Sequence, residues 1–150
     1  MRVSTRGRYG VRAVLDLALN NNGELVSIST ISERQGISQP YLEQIFNKLK
    51  KDGIVLSKPG PGGGYSLAKD PSDLTIGDII RSLEGSLAPV KCVSENEADA
   101  SCPRMDICAT RLLWQKLGDD IERFFDSITV DQLKREAEAS AKKPKAKSKL

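Results

Sequence analysis

Cys92, Cys102 and Cys108 are the residues of this 150-residue chain whose type and spacing could do chemistry. They fall within 17 residues in the pattern C-x9-C-x5-C, among Pro89, Pro103 and polar residues. An odd, clustered set of thiols, with no secretory leader ahead of it, speaks against a disulfide framework. Metal ligation or redox sensing is the expectation. Thiolates are the usual ligands of iron–sulphur clusters, which need four ligands in all. Zinc held by three Cys and one other ligand stays open, although the short C-x2–4-C knuckles of structural zinc are missing. Redox-active thiols without a metal, and chance, are the remaining readings. The sequence contains no His. An iron–sulphur or zinc enzyme is the least favoured class, because no base, nucleophile or pocket set assembles around these cysteines, and no enzymatic activity is expected.

The elements that must position the thiols begin with a segment from about Thr5 to Asn20. Val11, Val14, Leu15, Ala18 and Leu19 recur there at helical spacing, and Asn20-Asn21-Asn22-Gly23 supplies residues that tolerate a left-handed cap. Ser27 then caps a short helix carrying Ile28 and Ile31, which Gly36 stops. Ser38 caps a second helix with Pro40 in its first turn, placing Leu42, Ile45, Phe46 and Leu49 on one face to about Lys51. Two short helices joined by a Gly-containing turn, the second strongly amphipathic, form a helix-turn-helix pattern. Ile54–Ser57 and Tyr65–Ala68 read as two strands around the turn-rich tip Lys58-Pro59-Gly60-Pro61-Gly62-Gly63-Gly64, which makes a wing. That tip lacks both the G-x-G-x-x-G and the G-K-[ST] patterns and returns to a strand, so a phosphate cradle for nucleotides is not expected.

Thr75 and Asp78 form a capping box for a helix bearing Ile76, Ile79, Ile80 and Leu83, ending at Gly85. From about Thr110 to Asp126 a long helix carries Leu113, Trp114, Leu117, Ile121, Phe124 and Phe125 at a spacing near 3.5. No other long element after the wing can cover that face, so a second copy of the chain is its expected partner. Thr129 caps a last short helix through Val130 and Leu133. The fold class is therefore mainly α with a small β-hairpin wing: a winged helix-turn-helix over 1–85, a cysteine loop over 86–108, a dimerisation helix and short C-terminal helix over 109–139, and a disordered basic tail over 140–150.

Charge is unevenly spread. Residues 1–70 carry a surplus of +4, residues 71–141 a deficit of −6, and five Lys in the last nine residues restore the total to +3. A basic N-terminal half suits a polyanion. No run of 18 apolar residues occurs and no apolar leader follows the basic start, so a cytoplasmic protein with no membrane partner is expected.

Several stretches in register resemble the Rrf-type winged-helix transcription regulators, above all their iron–sulphur members. These are Met1-Arg2-Val3-Ser4-Thr5-Arg6-Gly7-Arg8-Tyr9-Gly10-Val11-Arg12-Ala13, Ile31-Ser32-Glu33-Arg34-Gln35-Gly36-Ile37-Ser38, Tyr41-Leu42-Glu43-Gln44, Gly60-Pro61-Gly62-Gly63-Gly64-Tyr65 and Ile128-Thr129-Val130-Asp131-Gln132-Leu133. The resemblance covers all but the last dozen or so residues. It implies a transcription regulator, mostly a repressor, that binds double-stranded DNA as a homodimer. It also implies an iron–sulphur cluster held by Cys92, Cys102 and Cys108 with a fourth ligand, [2Fe–2S] by nearest resemblance and [4Fe–4S] by analogy with three-cysteine relatives.

The same resemblance places DNA recognition on the helix from Gln39 to Lys51. Ser38, Gln39, Pro40 and Tyr41 stand at its start; Gln44 is suited to adenine N6/N7, and Glu43 can accept from cytosine N4. Arg6, Arg8, Arg12, Lys48 and Lys58 are the expected phosphate contacts, with Gly60 and Gly62 at the wing tip. Two departures stand out. Family members often carry Arg immediately before the position of Gly60, where this chain has Pro59. The fourth cluster ligand of the nearest relatives, a His three residues after the third Cys, is here Arg111, and the acidic ligand of others falls on Arg8. Asp106, Glu95, Glu97, Asp99, a small thiol or solvent are left. The function implied is control of iron–sulphur assembly or iron homeostasis genes through cluster occupancy, with a regulatory protein or cluster donor as a further partner. The alternative within the family is a cluster-free regulator that answers to thiol oxidation or a partner protein in cysteine and sulphur metabolism.

Overall fold

The computed structural model describes residues 2–95 and 102–142. Its elements follow the order α1 (Thr5–Asn20), α2 (Ile28–Gln35), α3 (Gln39–Lys51), β1 (Val55–Lys58), β2 (Gly64–Leu67), α4 (Ile76–Glu84), α5 (Arg111–Asp126) and α6 (Val130–Ala141), with one 3-10 turn at Lys91–Val93. Local chemistry sets most of these boundaries. Ser4, Ser27, Thr75 and Thr129 each accept a backbone N–H from the first turn of the helix they precede. Thr75 and Asp78 complete the expected capping box, each side chain bonding the other's backbone N–H at 3.0 Å. Gly36 ends α2 with φ 64°, a left-handed conformation that glycine adopts without penalty.

Two caps differ from expectation. Ser38 precedes α3, but its hydroxyl accepts no backbone N–H. Pro40, lacking an N–H, removes one of the two donors such an oxygen takes, and only the Ser38 carbonyl serves the helix, through Leu42 N at 3.0 Å. The Asn run after α1 supplies no left-handed cap either: Asn21 has φ −84°, and the positive φ falls on Gly23. Asn20 instead turns its amide back onto the Asp16 carbonyl at 2.8 Å.

The strands pair antiparallel, Val55 with Leu67 through Lys58 with Gly64, one residue later than expected in the first strand and one earlier in the second. A short extra bridge ties Val26 to Tyr65 by two backbone hydrogen bonds of 3.0 and 2.8 Å. A side chain at Gly64 would collide with the Val26 carbonyl there, so the hairpin lies flush on the loop before α2.

One core unites the first four helices and the hairpin. Val14, Leu17, Ile31, Leu42, Ile45, Phe46, Leu49, Val55, Leu74 and Ile79 are fully buried in it. Val130, at the start of α6, joins the same core. Its N–H donates to the Leu74 carbonyl at 2.8 Å, and Ile76 N donates to Ile128 at 2.9 Å, pinning the beginnings of α4 and α6 together. Arg81 on α4 also pairs with Asp126 at the end of α5, at 2.6 Å.

Helix α5 joins the core through its C-terminal end and otherwise lies against Pro89 and the 3-10 turn. Ile121, Phe125 and Ile128 pack against the core, whereas Leu112, Leu113, Leu117 and Phe124 are exposed. No residue of α5 is buried. Helix α6 has 12 residues and continues to Ala141, past the point where the tail was expected to begin. The remainder of that tail, 143–150, lies outside the described residues.

Candidate nucleic-acid interface and cysteine segment

Helix α3 has a divided surface. Leu42, Ile45, Phe46 and Leu49 point into the core, which forces Gln39, Glu43, Gln44, Asn47 and Lys48 outward. Ser38, Gln39 and Pro40 are exposed at its N-terminal end. Gln39 donates to Glu43 at 3.4 Å, linking two outward side chains one turn apart. Tyr41 is half-buried, its ring edge-on to Tyr9 of α1 with centroids 5.9 Å apart. Tyr65 of the wing packs on Phe46 at 4.6 Å, and burial, with the nearby Glu43 charge, pushes its hydroxyl pKa up. The wing is therefore anchored to the same helix whose outer face it flanks, with Lys58, Pro59, Gly60, Pro61 and Gly62 exposed at its tip.

The basic residues differ in how free they are. Arg6 is exposed. Arg8 is exposed and makes one long bond to Thr5 Oγ1, at 3.3 Å. The segment before α1 is held by Glu84 at the end of α4, which accepts from Ser4 N at 2.7 Å and from the Ser4 hydroxyl. Lys48 pairs with Asp52 at 3.0 Å. The Ser82 hydroxyl, then Lys48, hold the Asp52 carboxyl below its ordinary pKa. Arg12 is the most committed. It donates to the Gln35 carbonyl at 2.5 Å and to Gln35 Oε1 at 3.3 Å, and lies 5.2 Å from the centre of the Tyr9 ring.

Beneath Arg12 lies a group that the sequence reading passed over. Asp16 is 3% exposed and accepts from Arg34 and Gln35 at 2.6–3.2 Å. A signal was present: a carboxylate between Leu15 and Leu17, within the apolar run of α1, has to find donors.

The cysteine segment is built differently. Cys92 sits half-buried in the 3-10 turn, Cys108 is half-buried just before α5, Cys102 is exposed, and all three are free thiols. Thr110 approaches the Cys108 sulphur at 3.2 Å, and its hydroxyl and backbone, with Arg104 nearby, lower the thiol pKa. A pocket of about 250 Å³ is lined by Cys92, Glu95, Met105, Arg111 and Gln115. The Arg111 Nε is buried with no hydrogen-bond partner among the described residues. Of the acidic ligand candidates, Glu95 lines a pocket with a cysteine, Asp106 is exposed, and Glu97 and Asp99 lie outside the described residues. Three free thiols in one segment are the donors an iron–sulphur cluster takes. The described residues do not, however, gather three Cys, Asp or Glu into a group that could hold a metal. No described helix is long and apolar enough to cross a membrane.

Comparison with known proteins bears on both halves. The model of the Rrf2 family, described as iron-dependent transcriptional regulators, matches residues 3–136. The HTH-type transcriptional regulator IscR of Escherichia coli (strain K12 / DH10B) is 43% identical over 133 residues, covering 89% of this chain and 80% of the relative. Among solved structures, T. potens IscR superposes with a TM-score of 0.77 at 41% identity, covering 97% of this chain and 94% of that one. CymR, the global cysteine regulator of B. subtilis, superposes with a TM-score of 0.73 at 34% identity, over 90% and 97% of the two chains. These relatives are regulators, not enzymes, and the chain belongs to the Rrf2 family of transcriptional regulators.

Proposed function

We propose that this chain is a cytoplasmic, homodimeric regulator, acting mostly as a repressor, that reads double-stranded DNA with α3 and the wing. The observation that carries this reading is the outward face of α3. Gln39, Glu43, Gln44 and Lys48 stand clear of the core at the helix that the family uses for recognition, with a basic hairpin packed beside it. Gln44 has the donor and acceptor needed by adenine, and Glu43 rejects phosphate or guanine wherever no donor meets it. Arg6, Arg8, Lys48 and Lys58 lie on exposed surface and supply the phosphate contacts, with Gly60 and Gly62 letting the wing backbone come close. Leu112, Leu113, Leu117 and Phe124 form the face through which two copies of α5 pair.

Cys92, Cys102 and Cys108 are the residues that would hold an iron–sulphur cluster, and iron–sulphur assembly or iron homeostasis genes are the expected targets. Such a group, [2Fe–2S] or [4Fe–4S], supplies a centre sensitive to iron and oxidant supply. This part of the reading rests on the donor chemistry and on similarity to IscR. The free, accessible Cys102 and the similarity to a cysteine regulator favour a second reading, in which the thiols answer to oxidation or to a partner protein with no metal bound.

Binding to a duplex selected from a random pool, compared with its scrambled counterpart across a salt series, tests the DNA assignment. Gln44→Ala should lose base preference, whereas Lys58→Ala should weaken both duplexes alike and reduce the salt slope by about one. A base-specific loss from Lys58→Ala overturns the wing assignment. Anaerobic purification with iron and sulphide analysis separates the two readings of the cysteines. Colourless, metal-free protein whose DNA binding is unchanged by reconstitution removes the cluster.

A further inference from the structure

The recognition helix is only as precise as the turn that delivers it, and α2 contributes Ser32 to that turn. The Ser32 hydroxyl donates to the Ile37 carbonyl at 2.6 Å, and its carbonyl accepts from the Gly36 and Ile37 N–H groups. Helix α2 is eight residues long and buries one residue, Ile31. A carboxylate from another helix then sets where that turn lies against α1. Asp16 of α1 accepts from both Nε and Nη2 of Arg34, at 3.0–3.2 and 2.6 Å, and from Gln35 Nε2 at 2.8 Å. A two-pronged Arg–carboxylate contact sets orientation as well as distance. Arg12, one turn before Asp16, completes the hold. Its guanidinium donates to the Gln35 carbonyl, one of the groups a helix end leaves without an intrahelical partner. The Gln35 amide then lies between them, its oxygen accepting from Arg12 and its nitrogen donating to Asp16.

The far side of the turn is held by the same helix. Arg12 lies over Tyr9, and Tyr9 meets Tyr41 in the first turn of α3. Gln35 and Tyr41 bracket the turn Gly36-Ile37-Ser38, so α1 grips the chain immediately before and after it.

We infer that Asp16 is a positioning residue for the DNA-reading helix, and that Arg12 serves this clamp and not the phosphate backbone. The inference rests on α3 being the element that reads DNA. It differs from a plain stabilising ion pair, which would change the melting temperature and leave base discrimination alone. It differs equally from a phosphate contact, whose loss weakens every sequence and lowers the salt dependence.

Arg12→Gln, Asp16→Asn and, as a phosphate control, Arg6→Gln separate these roles. Affinity is measured for the selected and scrambled duplexes over a salt series, and amide hydrogen exchange is followed over residues 35–41. Arg12→Gln and Asp16→Asn should cut the selected-to-scrambled ratio by about tenfold, the scale of one lost base contact, at unchanged salt slope. Exchange over 35–41 should quicken in both. Arg6→Gln should weaken both duplexes together, reduce the slope by about one, and leave exchange as in the unaltered protein. A slope reduced by about one in Arg12→Gln, with the ratio kept, returns Arg12 to the phosphates and overturns the inference for it. Unchanged ratio and exchange in Asp16→Asn overturn it for Asp16. Should Asp16→Asn fail to fold, the exposed Arg12 decides the question. If the unaltered protein prefers no duplex, the DNA reading falls, and unchanged exchange over 35–41 in the variants then removes the clamp as well.

Discussion

The two halves of this molecule solve the problem of stability in opposite ways. From α1 to α4 the chain buries most of its large apolar residues around one core, Phe46, Leu17 and Leu42 completely, with Leu56 of the wing exposed. Helix α5, with 16 residues, buries none, and shows Leu113 and Phe124 at 57% and 61% exposure. The cysteine segment before it holds three free thiols and one short turn. Burying a large aliphatic or aromatic side chain contributes about 1.5–3 kcal/mol, so the first half has the means to be rigid by itself. The outer face of α5 leaves that stabilisation unused, while Val130 after it is buried in the core of the first half.

The largest expected effect tests that contrast directly. Phe46→Ala should cost about 3–5 kcal/mol in urea unfolding, as a fully buried aromatic does. Phe124→Ala should change the unfolding of dilute protein by less than about 0.5 kcal/mol, because an exposed ring has little to lose. Equal costs would break the comparison. The next effect concerns what covers α5. Leu113→Glu places a charge on the proposed pairing face and should weaken self-association by about 100-fold or more in sedimentation equilibrium, without lowering helix content. Unchanged self-association would move the dimer contact elsewhere.

A smaller effect on folding, though a complete one on metal, is expected from replacing Cys92, Cys102 and Cys108 by Ser together. Iron retained after anaerobic reconstitution should vanish, while metal-free unfolding shifts by less than about 0.5 kcal/mol, none of the three being buried. Iron retained by the triple variant would dismiss the thiols as ligands. The smallest effect lies within the rigid half. The Asp52 carboxyl is held below its ordinary pKa by Ser82 and Lys48, so its folded value lies under the unfolded value of about 3.9. The stability it contributes is present above that value and is lost as pH falls through the lower one. Asp52→Asn should remove a few tenths of a kcal/mol of acid sensitivity as pH falls below the unfolded value, since solvent screens this half-exposed pair. An unaltered acid profile would mean that the α3–α4 tie carries no energy.

Much of the first half was legible because its signals are local. Ser27, Gly36 and Thr75 act within one helical turn, as Thr129 does at the start of α6, and apolar spacing marks which face of α3 turns inward. The two misread caps are equally local and failed for local reasons: Pro40 withholds a donor from Ser38, and the Asn run keeps negative φ while Gly23 takes the turn. The cysteine segment was legible as types only. Three thiols announce a chemistry, yet their separations depend on how a segment with few contacts folds, and no periodicity encodes that.

By itself the sequence determined which helices and hairpin form and where most helices begin, which faces are apolar, and which residues are able to ligate, donate or repel. Caps and periodicity need only neighbours within a few positions, so these features survive without a fold. Tertiary structure alone decided how each polar group is used. Arg12 looks like any basic residue of α1 until Gln35 is brought beside it, and Asp16 finds its donors only when α2 closes over it. A guanidinium or a buried carboxylate takes the partner that geometry offers, and that partner is 18 or more residues away along the chain.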